Sequence, residues 1–226
     1  MVDSPHRPIA AMAEQPTPTN PLARAKERMV AAARQRTPSG TDEGRVPAGQ
    51  KLTQGFPVLD LGIRPPFDPA RWRLTVSGLV GKEVSLSYGQ LLALPPTELT
   101  ADFHCVTRWS KLDVPWRGVA LPDLLALAQP DDRWGFLIEH ASDGYTTNVP
   151  RADLDSQTVL VAYELEGKPL PLEHGGPVRL IIPSLYAWKG AKFLDGLQLS
   201  ATDEPGYWEV RGYHARGRAS LQERFG

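Results

Sequence analysis

A chain of 226 residues, 41% hydrophobic and 23% charged, has the composition of a soluble globular protein, long enough for one sizeable core in one or two domains. A formal net charge of -1 makes no field that would gather nucleic acid or an anionic membrane, so any bound anion must be held by local basic residues. The single cysteine excludes an internal disulfide and a zinc site built from cysteines alone.

No stretch reaches the roughly 18 apolar residues that suggest a membrane span. Residues 1–20 carry prolines, alanines and acidic residues without an apolar h-region, and no arginine pair precedes an apolar run, so the expected address is the cytoplasm. Composition predicts disorder over residues 1–20, a short surface helix over Pro21–Gln35 and a Pro/Gly linker over Thr37–Gly49. Residues 1–44 are therefore expected to be an arm and 45–226 the folded domain.

The 22 prolines and 20 glycines predict many turns and short elements. Gln50–Pro66 is apolar but cut by glycine and proline, which predicts extended chain crossing the body. Trp72, Leu74 and Val76 alternate with Arg73, Thr75 and Ser77 as in a half-buried strand; Gly78 and Gly81 bracket a turn into a partner strand with Val84 and Leu86. Tyr88–Leu94 suits one or two helical turns stopped by Pro95-Pro96. Pro115-Trp116-Arg117-Gly118 reads as a turn, and Leu121–Gln129 as a helix with an early proline and a Leu124/Leu125/Leu127 face. Strands are expected over Phe136–His140 and Tyr145–Val149, joined by a hairpin at Asp143-Gly144, and over Val159–Tyr163, Val178–Ile182 and Phe193–Leu199. Between them, Gly167-Lys168-Pro169 reads as a turn and Leu170–Pro177 as a loop, and the tail from Pro205 is aromatic and basic. Many short strands with few helices give a β-rich α+β fold without internal repeats.

Three segments carry chemistry. In Phe103-His104-Cys105-Val106-Thr107-Arg108-Trp109-Ser110 the lone thiol has a histidine beside it and an arginine three residues on. It is a buried hydrophobe, a nucleophile, or a single soft ligand to a metal; His104 and Arg108 would favour its thiolate. In Leu172–Arg179 a glycine loop holds His174, with Arg179 opening a strand. In Ser184–Lys192 two lysines, Lys189 and Lys192, flank Gly190. Glycines that admit close backbone approach, together with Arg and Lys, suit an anionic, phosphorylated ligand.

With these segments on the page, residues 45–225 resemble the catalytic domain of the sulfite oxidase family of molybdenum enzymes. The resemblance is closest to small bacterial members that include the catalytic subunit of methionine sulfoxide reductase. It is carried by FHCVTRWS at 103–110, VPWRGVALPDLL at 114–125, DGYTTNVP at 143–150 and PLPLEHGGPVRLIIPSLYAWKGAKF at 169–193. It implies a sulfite-oxidase-type fold and a mononuclear molybdenum held by a pterin without nucleotide, with Cys105 as the protein's metal ligand. It places His174 and Arg179 on the pterin and Gly190, Ala191 and Lys192, with Lys189 before them, at its phosphate end. His104 and His140 fall at further cofactor-lining positions.

Where sulfite oxidases carry asparagine and arginines soon after the cysteine, this sequence reads Thr107-Arg108-Trp109-Ser110. Arg108 is the candidate for holding a substrate anion, with Arg211, His214, Arg216 and Arg218 of the tail as alternatives, and Tyr145 or Tyr186 as proton donors. The expectation is an oxidoreductase moving an oxygen atom and two electrons on a small molecule, sulfite-like or an S- or N-oxide. Electrons would pass through a separate partner or a small acceptor, with no nucleic acid or membrane span involved. Two other readings stand beside it: a cysteine hydrolase pairing Cys105 with a histidine, and a non-catalytic carrier of the pterin.

Overall fold

A computed structural model describes residues 44–154 and 156–226; the helix expected over Pro21–Gln35 and the rest of residues 1–43 lie outside the described residues. The chain enters through β1 (Lys51–Leu52) and then runs without regular structure to Pro66, the extended crossing segment anticipated from its glycines and prolines. Apolar alternation then decides the first hairpin. Leu74 and Val76 of β2 (Arg73–Gly78) are buried, and β2 pairs antiparallel with β3 (Val84–Ser87). Ser87 opens α1 (Tyr88–Leu92) with a reciprocal cap: its Oγ accepts from the Gln90 amide, and Gln90 Oε1 accepts from the Ser87 amide. The helix stops ahead of Pro95-Pro96.

Next come β4 (Thr97–Cys105), β5 (Trp109–Ala120) and α2 (Leu121–Ala126), then β6 (Phe136–Ala141) and β7 (Thr146–Pro150) joined through Asp143-Gly144. The chain continues through β8 (Leu160–Leu165), β9 (Lys168–Pro169), β10 (Arg179–Ile181) and β11 (Leu194–Ser200). Two sheets result: six strands with the path β1-β5-β8-β10, to which β4 and β9 add, and five in the order β3-β2-β11-β6-β7. Their apolar faces and α2 enclose the main core, in which Leu74, Leu124, Leu137, Val161, Leu194 and Leu197 are fully buried. The helix ends three residues earlier than the sequence suggests, so Leu127 lies beyond the last turn and is exposed.

The turn expected at Pro115–Gly118 is instead the middle of β5, which pairs with β4 on one side and β8 on the other. Trp116 is buried there, and Gly118 serves a close approach: a Cβ on it would lie 2.2 Å from the Val161 carbonyl oxygen. Gly118→Ala is accordingly expected to lower stability by at least about 2–3 kcal/mol, in the overpacking range, as read by chemical denaturation. The β4–β5 hairpin matters for another reason. Its register runs from Thr97↔Gly118 to Cys105↔Trp109, so the only cysteine sits at the last rung before the tip. Arg108 closes that tip at φ 73°, and its amide donates to the Cys105 carbonyl.

Candidate functional site

The hairpin tip delivers Cys105 to a cavity of about 130 Å³. The thiol is buried; its Sγ lies 3.1 Å from Thr107 Oγ1. Burial pushes its pKa up, while the Thr107 hydrogen bonds and the charges of Lys192 and Arg179 pull the other way. The extended crossing segment contributes Phe56 and Asp60 to the same wall.

Arg179, at the start of β10, supplies the cavity's buried cation. Nη1 donates to the His174 carbonyl at 2.9 Å and Nη2 to the Gly190 carbonyl at 3.3 Å, while Nε has no partner. The guanidinium carbon lies 5.1 Å from the Phe103 ring centroid. Burial pushes the Arg179 pKa down to about 10, so the group stays charged at neutral pH. Lys192 is placed by the strand backbone after it, since the Phe193 amide donates to the Gly175 carbonyl and the Leu194 amide to the Val178 carbonyl. Its Nζ donates to the Glu173 carbonyl at 2.8 Å. Gly175, at φ 103°, lets the His174 loop press on that lysine: a Cβ there would meet Lys192 Cγ at 2.7 Å. His174 stacks on Phe56 with ring centroids 4.6 Å apart, and burial beside Lys192 lowers its pKa, leaving a neutral imidazole.

Cys105, His174, Arg179, Gly190 and Lys192, all singled out in the sequence, thus share one cavity. The other candidates sit elsewhere among the described residues. His104 Nδ1 meets Ser110 Oγ at 2.9 Å and borders a small crevice with Arg179. His140 Nε2 pairs with Gln198 Oε1 at 3.0 Å across β6 and β11. Arg108 occupies the hairpin tip and is not among the lining residues. Ala191 is buried, its amide donating to Glu139 Oε2 at 2.6 Å. Lys189 is turned into the protein, wholly buried, with its Nζ 2.6 Å from Glu209 Oε1. Of the two candidate phenols, Tyr145 lines the cavity but donates to the Trp188 carbonyl at 2.6 Å, and Tyr186 borders the small crevice instead.

Sequence reasoning did not pick out Trp188, Trp208 and Tyr213, which form an aromatic wall beside Val106 and Thr107. Tyr213 packs against Trp188 and Trp208 with centroids 4.9 and 4.8 Å away. The aromatic tail was visible as composition; its return to Cys105 is a long-range contact that no local pattern encodes. Glu139 was also missed. It is fully buried, with Oε1 unpartnered, and burial raises its pKa to about 8 despite the Ala191 amide. Its proton is therefore retained in the folded state over a range where the unfolded carboxyl has lost it. That contribution to stability is present below about pH 4.5 and disappears as pH rises towards 8, at up to about 1.4 kcal/mol per pH unit. Glu139→Gln keeps an acceptor for Ala191 and cannot ionise. Denaturation of the cofactor-free protein should show the two close together near pH 5 and the variant gaining steadily on the parent from there towards pH 8; parallel curves would contradict a neutral Glu139.

The family model of the oxidoreductase molybdopterin binding domain matches residues 61–208. The uncharacterized oxidoreductase YuiH of Bacillus subtilis (strain 168) is 43% identical over 191 residues, covering 84% of this chain and 96% of that protein. The methionine-sulfoxide reductase catalytic subunit MsrP of Gluconobacter oxydans (strain 621H) is 30% identical over 167 residues, 63% of this chain and 51% of its own length, so the chain spans about half of that relative. Among solved structures, the sulfane dehydrogenase SoxCD of Paracoccus pantotrophus shares the fold at a TM-score of 0.56 and 23% identity, over 62% of this chain and 40% of that one.

Proposed function

The chain belongs to the oxidoreductase molybdopterin binding domain family, whose cofactor is molybdenum-molybdopterin, and from that membership we propose that it moves an oxygen atom and two electrons on a small uncharged S- or N-oxide, with the Cys105 thiolate as the protein's ligand to molybdenum. One observation carries the reading. The only thiol in the sequence shares a cavity with a fully buried guanidinium whose Nε is unpartnered and whose other nitrogens reach only backbone carbonyls.

The residues present fit the group. A soft thiolate suits molybdenum, and an uncompensated buried cation suits an anionic ligand arriving beside it. Arg179 and Lys192 would hold the cofactor's anionic end, and the neutral His174, braced on Phe56, would hydrogen-bond its ring system. When bound, the cofactor supplies the redox and oxo-transfer chemistry; the chain supplies position, charge and exclusion of water. Reduction of an oxide to its parent compound consumes two protons and two electrons and releases water; Tyr213 is the phenol of the aromatic wall that lines the cavity.

The wall also bears on the substrate. Beside Cys105 it presents Val106, Trp188, Trp208 and Tyr213, whereas Arg108 does not line it. A neutral, partly apolar oxide loses little on entering such a site; a sulfite dianion would have to compete with the cofactor's own anionic end for Arg179 and Lys192, the two cations of the cavity. The hydrolase reading is less well supported, since the hydrogen-bond partner of Cys105 Sγ is Thr107, and His174, the histidine of the same cavity, stacks on Phe56 instead. The test is protein made in cells competent for the pterin and fed molybdate. Molybdenum by plasma mass spectrometry is expected near one per chain, with viologen-driven reduction of methionine sulfoxide or trimethylamine N-oxide outpacing ferricyanide-linked sulfite oxidation. Faster sulfite turnover would reverse the substrate assignment, and turnover by metal-free protein would remove the whole reading.

A further inference from the structure

We infer that Lys189 is a positioning residue that clasps the C-terminal segment 206–217 onto the body, and so holds Trp208 and Tyr213 against the Cys105 cavity. The functional part of this inference rests on reading that aromatic wall as the substrate side of the site. In the sequence Lys189 and Lys192 look alike, two cations around one glycine. In the structure Trp188 and Gly190 line the cavity, while the lysine between them is 0% exposed and faces the other way. Its ammonium donates to Asn148 Oδ1 at 2.8 Å, Glu209 Oε1 at 2.6 Å and the Ala215 carbonyl at 2.8 Å, one acceptor for each of its protons. No donor remains for a ligand.

Those acceptors are not arbitrary. Glu209 follows Trp208, Ala215 lies two residues past Tyr213, and Asn148 belongs to β7 in the body of the fold. The same Glu209 oxygen accepts from Thr147 Oγ1 at 2.7 Å, so the clasp joins the turn Ala187–Lys189, just before Gly190, on one side to β7 on the other. The ends of the segment are pressed down by backbone contacts. The Tyr207 amide donates to the Thr146 carbonyl, and the Gly217 carbonyl accepts from the Tyr186 amide, 2.8 Å away. A Cβ on Gly206 would lie 2.2 Å from Thr146 O, and one on Gly217 would lie 2.8 Å from the Trp188 ring. Within the segment the Tyr213 amide donates to the Trp208 carbonyl, which ties the two aromatic residues to each other but not to the body. Lys189 makes that second connection at the aromatic end together with Thr147 Oγ1, while Arg216 at the far end of the segment pairs with Asp153 at 2.6 Å. Because both charges of the pair are buried, losing either strands the other, so the clasp is held or lost as a unit.

Lys189→Met alone would leave Glu209 as a bare buried charge, so the informative variant is Lys189→Met with Glu209→Gln, which removes both charges at similar volume. In the cofactor-loaded full chain, hydrogen exchange read by mass spectrometry is expected to speed up at least about tenfold over residues 207–215 and to stay unchanged in β11. Molybdenum and pterin content should match the parent, while KM for the oxide rises about tenfold with a smaller change in kcat. Loss of cofactor with residues 207–215 still protected would make Lys189 a cofactor ligand and overturn the inference. Faster exchange spread through β11 would reduce it to general stability and overturn it equally. If the parent enzyme turns over no oxide, the proposed function fails, and the exchange and cofactor readouts still decide the clasp.

Discussion

Arg179→Met is expected to strip the protein of its cofactor while leaving the cofactor-free fold almost as stable as before. In the structure the guanidinium is buried and hydrogen-bonded to two carbonyls, those of His174 and Gly190. Removing it forfeits those bonds and its contact with the Phe103 ring, but also ends the cost of a desolvated charge, which is why its pKa is pushed down to about 10. The two effects oppose each other, and the net change should stay within about 2 kcal/mol. On the proposed reading the balance with the cofactor is one-sided, because the unpartnered Nε and the full charge would then meet an anion. Losing charge-assisted hydrogen bonds worth about 1.5–3 kcal/mol weakens binding by at least about tenfold, and towards 100-fold where more than one is lost. Arg179→Lys should fall between, since an ammonium keeps the charge but cannot span both carbonyls and a ligand in one plane. Denaturation of the empty protein together with molybdenum and pterin content of the purified enzyme checks both halves. A fully loaded Arg179→Met protein would show that the buried cation serves the fold alone.

What could be read beforehand divides along a physical line. Period-two alternation at Leu74 and Val76, the capping serine at 87 and the Asp143-Gly144 turn are local signals, and the elements stand where they point. The site residues that came together are likewise those whose surroundings are local: a thiol at a hairpin tip, a histidine in a glycine loop, an arginine opening a strand, a lysine just before one. Gly118 shows the limit. A glycine beside a proline and a tryptophan reads as a turn, yet its meaning is set by Val161, more than forty residues away in sequence. Lys189 and Lys192 show it again, because which of two neighbouring lysines meets a ligand depends on Glu209 and Asn148 waiting on the other side. The aromatic wall is the extreme case, assembled from Trp188, Trp208 and Tyr213 by the return of the C-terminal segment.

Cys105→Ser should give a folded protein that retains much of its pterin and has lost turnover by at least about 100-fold, beyond the 10–100-fold typical when only an outer-sphere partner of a metal is removed. Serine is close in volume, and its hydroxyl can keep the 3.1 Å contact with Thr107, so the hairpin tip has little reason to move. Arg179, Lys192 and His174 are untouched, so on the proposed reading the anionic end and ring system would keep their partners. What disappears is the soft ligand: a hydroxyl holds its proton at neutral pH and is a poor match for molybdenum. The variant also separates the readings that share this cavity. A hydrolase would lose activity that never required metal, and a carrier would bind pterin with no turnover to lose. An oxidoreductase alone predicts a parent whose turnover tracks its molybdenum, beside a variant whose pterin stays and whose molybdenum is loosened. Full activity in Cys105→Ser would move the chemistry away from the hairpin tip, and with it the reason for a lone thiol to share a cavity with Arg179 and an aromatic wall.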